Sequence, residues 1–226
     1  KKLLLENIKK VIINTKNLNE FLDKKVFEIE KNNGENQVGQ VNGLAWTSVG
    51  GDVLKVEAVK IKGKGELTLT GSLGDVMKES ARIAFSMIKV LIDEGKIKIP
   101  KKIIIDPKVN VYDSYNIHIH VPDGATPKDG PSAGITISTA IASIFSDKKV
   151  KADVAMTGEI DLKGKVLPIG GLKEKLIAAY KADIKTALIP RKNYERDLKD
   201  IPSEVRDNME IIAVDTFSDV LEYTLV

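Results

Sequence analysis

The segment Pro127-Lys128-Asp129-Gly130-Pro131-Ser132-Ala133-Gly134 places a serine among small residues, where a loop runs into a helical pattern. Helix starts leave backbone N–H groups unpaired and carry the positive end of the helix dipole. Gly130, Ala133 and Gly134 allow other backbone to come close. A hydroxyl attacking a carbonyl at such a point has donors at hand for the oxyanion of a tetrahedral intermediate. The alternative is a plain helix cap, a common use of serine at this kind of junction. The spacing is not that of a Gly-x-Ser-x-Gly elbow.

A serine nucleophile needs a base. The chain has two histidines, His118 and His120, which alternate along Asn116-Ile117-His118-Ile119-His120-Val121 and point to one face of a strand. Three readings stay open for them: polar residues on a sheet face, a two-ligand metal pair with no third ligand evident, or a base for Ser132. Lysine is the other option, provided burial lowers its ordinary pKa of about 10.4. Gly170-Gly171-Leu172-Lys173-Glu174-Lys175-Leu176-Ile177-Ala178-Ala179 supplies two. On a helix Lys175 neighbours Gly171, Leu172, Ala178 and Ala179, whereas Lys173 neighbours Leu176 and Ile177, so periodicity does not separate them. Both also fit solvated lysines whose stems lie along the helix.

The elements that must position these groups follow from periodicity. Leu4, Leu5, Ile8, Val11 and Ile12 give a helix face within residues 1–23, with a break near Asn14 to Asn17 and a cap at Asn17 or Asn19 for a second short helix holding Phe21 and Leu22. Residues 31–37 are polar and turn-forming, and we place the linker there, giving domains 1–37 and 38–226. Residues 38–72 alternate as strands, with turn candidates at Gly50-Gly51-Asp52 and Gly63–Gly65. A helix is predicted over 74–94, burying Val76, Ser80, Ile83, Ala84, Met87 and Leu91. A strand at 116–121, a Pro/Gly-rich loop at 122–131 and a helix from about 132 to 145 follow. Short strands near 153–158 and 165–168, a helix over 172–182, strands at 185–189 and 210–214 and a helix at 216–224 complete an α+β chain with interleaved elements. There is no internal repeat.

At 226 residues and 42% hydrophobic content the chain can bury a substantial core. Charged residues make up 30%, but the net charge is only +3, too small an excess to argue for nucleic acid. Few aromatics offer stacking platforms for single strands. The lack of cysteine excludes disulfides, thiolate metal sites and a Cys nucleophile, and fits a reducing, cytoplasmic setting. No apolar run approaches the ~18 residues that span a bilayer. Lys1-Lys2-Leu3-Leu4-Leu5 is interrupted by Glu6, Lys9 and Lys10, unlike a signal peptide. A first residue of Lys rather than Met fits a piece of a longer chain.

Taken together, several stretches resemble the proteolytic domain of the Lon ATP-dependent protease family. The serine segment 127–134 resembles that family's serine motif, and Gly170 to Leu176, with Lys175 forty-three positions after Ser132, its lysine motif. Met156-Thr157-Gly158-Glu159-Ile160, Gly164 to Gly171, Gly43-Leu44-Ala45-Trp46-Thr47, Gly71-Ser72-Leu73-Gly74 and Val76-Met77-Lys78-Glu79-Ser80 follow the same pattern in the same order. The resemblance covers about residues 38–226.

It implies the Lon protease domain fold and a Ser132–Lys175 dyad, choosing Lys175 over Lys173. It implies that Thr157 holds the lysine by hydrogen bonding, and gives Glu159 and Asp129 secondary places near the site. Trp46 matches a tryptophan of the family's N-terminal β region, as a packed aromatic or a substrate contact. Residues 1–30 resemble the end of an ATPase helical subdomain. The chain has no Gly-x-x-x-x-Gly-Lys-Ser/Thr loop. The resemblance therefore implies no cofactor here, with ATP and Mg belonging to a part not in this sequence. The implied partners are unfolded or damaged proteins and further copies in a hexameric ring. The implied alternative is a ring-forming module without activity. Tyr180-Lys181-Ala182-Asp183 departs from relatives that carry a glycine at the helix end.

Overall fold

The computed structural model describes residues 10, 12–14, 17–21, 34–47, 50–122 and 124–226. The chain divides into two compact units, residues 1–30 and residues 31–226. In the first, the described part is a 3-10 turn at Leu18–Glu20. Asn17 precedes it without a capping bond, and its amide donates instead to the Ile12 carbonyl oxygen. The rest of the helical pattern expected over 1–23, Leu22 included, lies outside the described residues.

The second unit begins with strand pairing that the alternation of apolar and polar side chains requires. Strands β1 (Gln40–Thr47) and β2 (Gly50–Lys62) pair antiparallel along their length. Gly50, Gly51 and Asp52, expected as a turn, instead begin β2 opposite Thr47, Trp46 and Ala45. The physical reason is close packing: a Cβ on Gly51 would sit 2.0 Å from the Glu174 carbonyl oxygen, so glycine here serves helix-to-strand approach. β3 (Leu67–Thr70) and β4 (Tyr115–His120) run parallel to each other, and β4 joins β2 antiparallel. Between them lies helix α1 (Asp75–Asp93). Its buried side chains include Met77, Ser80, Ala84, Met87 and Leu91, but Val76, expected in that stripe, is 45% exposed. The apolar face is rotated by one residue, onto Met77.

Helix α2 (Gly134–Ser146) follows a 3-10 turn at Pro131–Ala133. Every residue of α2 is buried, because it lies between the sheet on one side and α1 and the C-terminal helix on the other. β5 (Val154–Met156), the hairpin β6 (Glu159–Ile160) and β7 (Val166–Leu167), helix α3 (Leu172–Lys181) and β8 (Thr186–Pro190) come next. Two short helices, α4 (Arg191–Asp197) and α5 (Ser203–Asn208), then β9 (Glu210–Val214) and α6 (Phe217–Thr224) complete the chain. The seven-stranded sheet has the order β3-β4-β2-β1-β5-β8-β9, mostly parallel.

One apolar cluster, with Val56, Ala58, Met87 and Ile141, fills the α1/α2 side of the sheet. A second, with Leu44, Leu172, Leu176 and Ile189, fills the α3 side. α3 ends through Asp183 in the left-handed conformation (φ 60), a conformation that favours glycine. No described helix is long and apolar enough to cross a membrane.

Candidate active site

β5 pairs with β1 only at Asn42 and Gly43. Past that point the second edge of β1, Leu44–Thr47, is paired with no strand among the described residues and faces a cleft of about 560 Å³. The start of α3 forms one wall and the loop before α2 the other. Ser132 and Lys175 both line it.

Lys175 sits on the first turn of α3 and is 2% exposed. α3 puts Leu172, Leu176 and Ala179 into the second apolar cluster, and Lys175 is drawn inward with them. Burial pushes its amine down to about 8 from 10.5. Its Nζ donates to Thr157 Oγ1 at 3.0 Å. Thr157, fully buried at the end of β5, in turn donates to the Ser132 carbonyl oxygen at 3.3 Å. The Gly158 N–H donates to the same oxygen at 2.9 Å. The lysine is thus coupled through one threonine to the backbone of the serine. Lys173, two residues earlier, is exposed and does not reach the cleft.

Ser132 lies in the 3-10 turn, half-buried. Neither that turn nor α2 takes a side-chain cap, so the hydroxyl is not used as a helix cap. Among the described residues Ser132 Oγ makes no hydrogen bond, and none joins it to Lys175 Nζ. The serine loop is held instead by its neighbours. Asp129 Oδ1 accepts from the Met77 N–H at 2.9 Å and from the Gly130 N–H at 2.8 Å. It thereby supplies the N-terminal cap that Gly74, lacking a side chain, cannot give α1. Lys128 is 8% exposed and donates to the carbonyl oxygens of Gly71 and Thr126. Backbone bonds from Lys128 to Ser72 and from Gly74 to Lys128 finish the strap. Sequence reasoning did not single out Lys128. Its burial has little local signal, because one of its partner carbonyls, that of Gly71, lies far away in the chain.

The remaining expected residues divide. Trp46 is 63% exposed at the cleft edge and packs on Gly171, where a Cβ would fall 2.9 Å from its ring. Glu159 lies in β6 opposite Leu167 and is not on the cleft wall. His118 and His120 face outward from β4, each bonded to Thr70 Oγ1 at 2.9 and 2.8 Å, and do not line the cleft. That removes them as base for Ser132. No group of three or more metal-ligating His, Cys, Asp or Glu side chains occurs among the described residues.

Residues 12–226 match the family model described as the Lon protease (S16) C-terminal proteolytic domain. Lon protease of Campylobacter concisus (strain 13826) is 64% identical over 98% of this chain and 28% of its own length. Lon protease of Helicobacter pylori (strain J99 / ATCC 700824) is 61% identical over 96% of the chain and 27% of its own length. Lon protease of Escherichia coli (strain K12) is 49% identical over the whole chain and 27% of its own length. The chain therefore spans little more than a quarter of the curated relatives it matches.

Proposed function

The chain belongs to the Lon protease (S16) C-terminal proteolytic domain family, and from that premise we propose that it is a serine endopeptidase acting through Ser132 and Lys175. The observation that carries the reading is Lys175: a lysine 2% exposed, lowered to about 8, opening onto the same cleft as a serine whose hydroxyl makes no hydrogen bond among the described residues. Near neutral pH a useful fraction of such an amine is uncharged and can accept a proton.

An extended substrate segment lies along the open edge of β1, Leu44–Thr47, and pairs with it as an added strand. Ser132 Oγ attacks the scissile carbonyl carbon while its proton passes to Lys175 Nζ. Backbone N–H groups at the entrance to α2 hold the oxyanion. The C–N bond then breaks, and Lys175 returns the proton to the departing amine. Water attacks the acyl-serine with Lys175 again as base, releasing the acid and restoring the hydroxyl. Thr157 keeps the amine aimed, and Asp129 holds the loop. Since Lys175 Nζ bonds Thr157 and not Ser132 in this structure, the dyad closes by a change of the Ser132 turn or rotamer.

The domain runs over residues 38–226, with 1–37 as the tail of an ATPase helical subdomain and linker. ATP hydrolysis, with its Mg, belongs to a further part that delivers unfolded or damaged proteins, and the working assembly is a hexameric ring in the cytoplasm. Relatives more than three times this length support that division. The test is a serine-acylating reagent followed by peptide mapping. We expect Ser132 to be labelled faster as pH rises through about 8, and Lys175→Ala to lose that acceleration. Labelling of Lys175→Ala at the unaltered rate ends the dyad reading.

A further inference from the structure

Resting on the endopeptidase reading, we propose that Asp52 makes this cleft select substrates with a basic side chain at one position flanking the scissile bond. On the α1/α2 face of the sheet β1 presents Gly43 and Ala45, which carry almost no side chain. Neighbouring strands lie about 4.8 Å apart. The cleft therefore reaches across β1 onto β2, where Val56, Leu54 and Asp52 alternate along the same face. They form a trough graded from buried Val56 through half-buried Leu54 to exposed Asp52. Its depth is apolar and its outer end is a carboxylate.

A substrate strand on the open edge of β1 sends alternate side chains to opposite faces. One set must cross Gly43 and Ala45 into this trough. A short apolar side chain fills the inner part and leaves Asp52 in water. A lysine or arginine lays its methylene stem along Leu54 and brings its charged end to the carboxylate. A glutamate in the same place meets a like charge.

The cleft's own cations do not cancel Asp52. Lys175 is tied to Thr157, and Lys128 to the carbonyls of Gly71 and Thr126. Asp52 accepts only from the N–H of Val53, its chain neighbour, and pairs with no cation among the described residues. Asp129 is occupied at the start of α1, and Glu174 sits on the opposite, α3, face. Because Asp52 is exposed, the discrimination is modest and screened by salt.

The experiment compares fluorogenic peptides identical except for Lys, Gln or Glu, placed in turn at each position around one cut. At one position kcat/KM is expected to rank Lys over Gln over Glu, with steps of about threefold to tenfold at low salt. The Lys:Gln ratio should approach one in about 0.5 M salt and in Asp52→Asn, and the order should invert in Asp52→Lys. The same peptides, read by anisotropy on Ser132→Ala, should show the ranking in binding as well. Equal cleavage of the three peptides overturns the proposal while leaving the endopeptidase standing. So does a ranking that survives Asp52→Lys. Neither cleavage nor binding of any peptide overturns both.

Discussion

The two halves of the site are held by different physics. Lys175 is fixed by the core: its helix is packed through Leu172, Leu176 and Ala179, and its amine has a buried hydroxyl to point at. Ser132 is fixed by polar straps: Asp129 on the α1 start, Lys128 on two carbonyls, and the backbone bonds around Ser72 and Gly74. Apolar packing sets a position that changes only when the core changes. Hydrogen bonds at a half-exposed loop can be exchanged for water or for other partners at small net cost. The comparison puts the proposed base in the rigid half and leaves adjustment to the proposed nucleophile, whose hydroxyl is not in contact with the Lys175 amine among the described hydrogen bonds.

The largest effect is expected on the rigid half. Lys175→Met should lower peptide cleavage at least about 1,000-fold, as loss of a base that acts as a unit with its nucleophile does. It should also stabilise the fold. Lys175 is lowered to about 8 in the folded chain against about 10.5 unfolded, so below pH 8 the full cost of burying the charge is present. Between pH 8 and about 10.5 the unfolded chain binds more protons, and stability rises with pH across that window. Urea unfolding at pH 7 should therefore find the Met variant up to about 3 kcal/mol more stable, with the gap closing toward pH 10.5. A variant no more stable at pH 7 would mean that the amine is not desolvated. In the unaltered chain kcat/KM should rise with an apparent pKa near 8.

Thr157→Val tests the joint between the halves. Valine keeps the shape but removes the hydroxyl that receives Lys175 Nζ and donates to Ser132 O. Cleavage should fall about 10- to 100-fold. The charged amine loses its one acceptor among the described residues, so the rising limb of the pH profile should move below pH 8. An unmoved limb would show that Thr157 orients the loop and not the lysine.

How much of this could be read from the chain depends on whether the deciding contact is local. The Ser132 and Lys175 segments stand out as motifs, and the amphipathic span of α1 emerges from spacing alone. The choice between Lys173 and Lys175 does not, because both have apolar neighbours on a helix; what buries Lys175 is the sheet beneath α3. Gly50 and Gly51 look like a turn, yet Gly51 is there to let β2 touch the Glu174 backbone. α4 and α5 are 7 and 6 residues long and largely polar, so they leave no periodic signal. Asp129 shows its purpose only once Gly74 is found at a helix start with no side chain to cap it.

That cap supplies the smallest and most selective probe of the comparison. Asp129→Ala removes the acceptor for the N–H groups of Met77 and Gly130. Loss of an N-terminal cap costs about 1 kcal/mol, and urea unfolding should report that much. The serine turn loses one strap but keeps Lys128 and the backbone bonds, so cleavage should fall only severalfold, up to about tenfold. Lys175 is untouched, packed on the far wall with Thr157. The rising limb of kcat/KM should therefore stay near pH 8, unlike that of Thr157→Val. A limb that moves with Asp129 would mean that the two halves are one electrostatic unit, and the division between a core-held base and a strapped nucleophile would have to be given up.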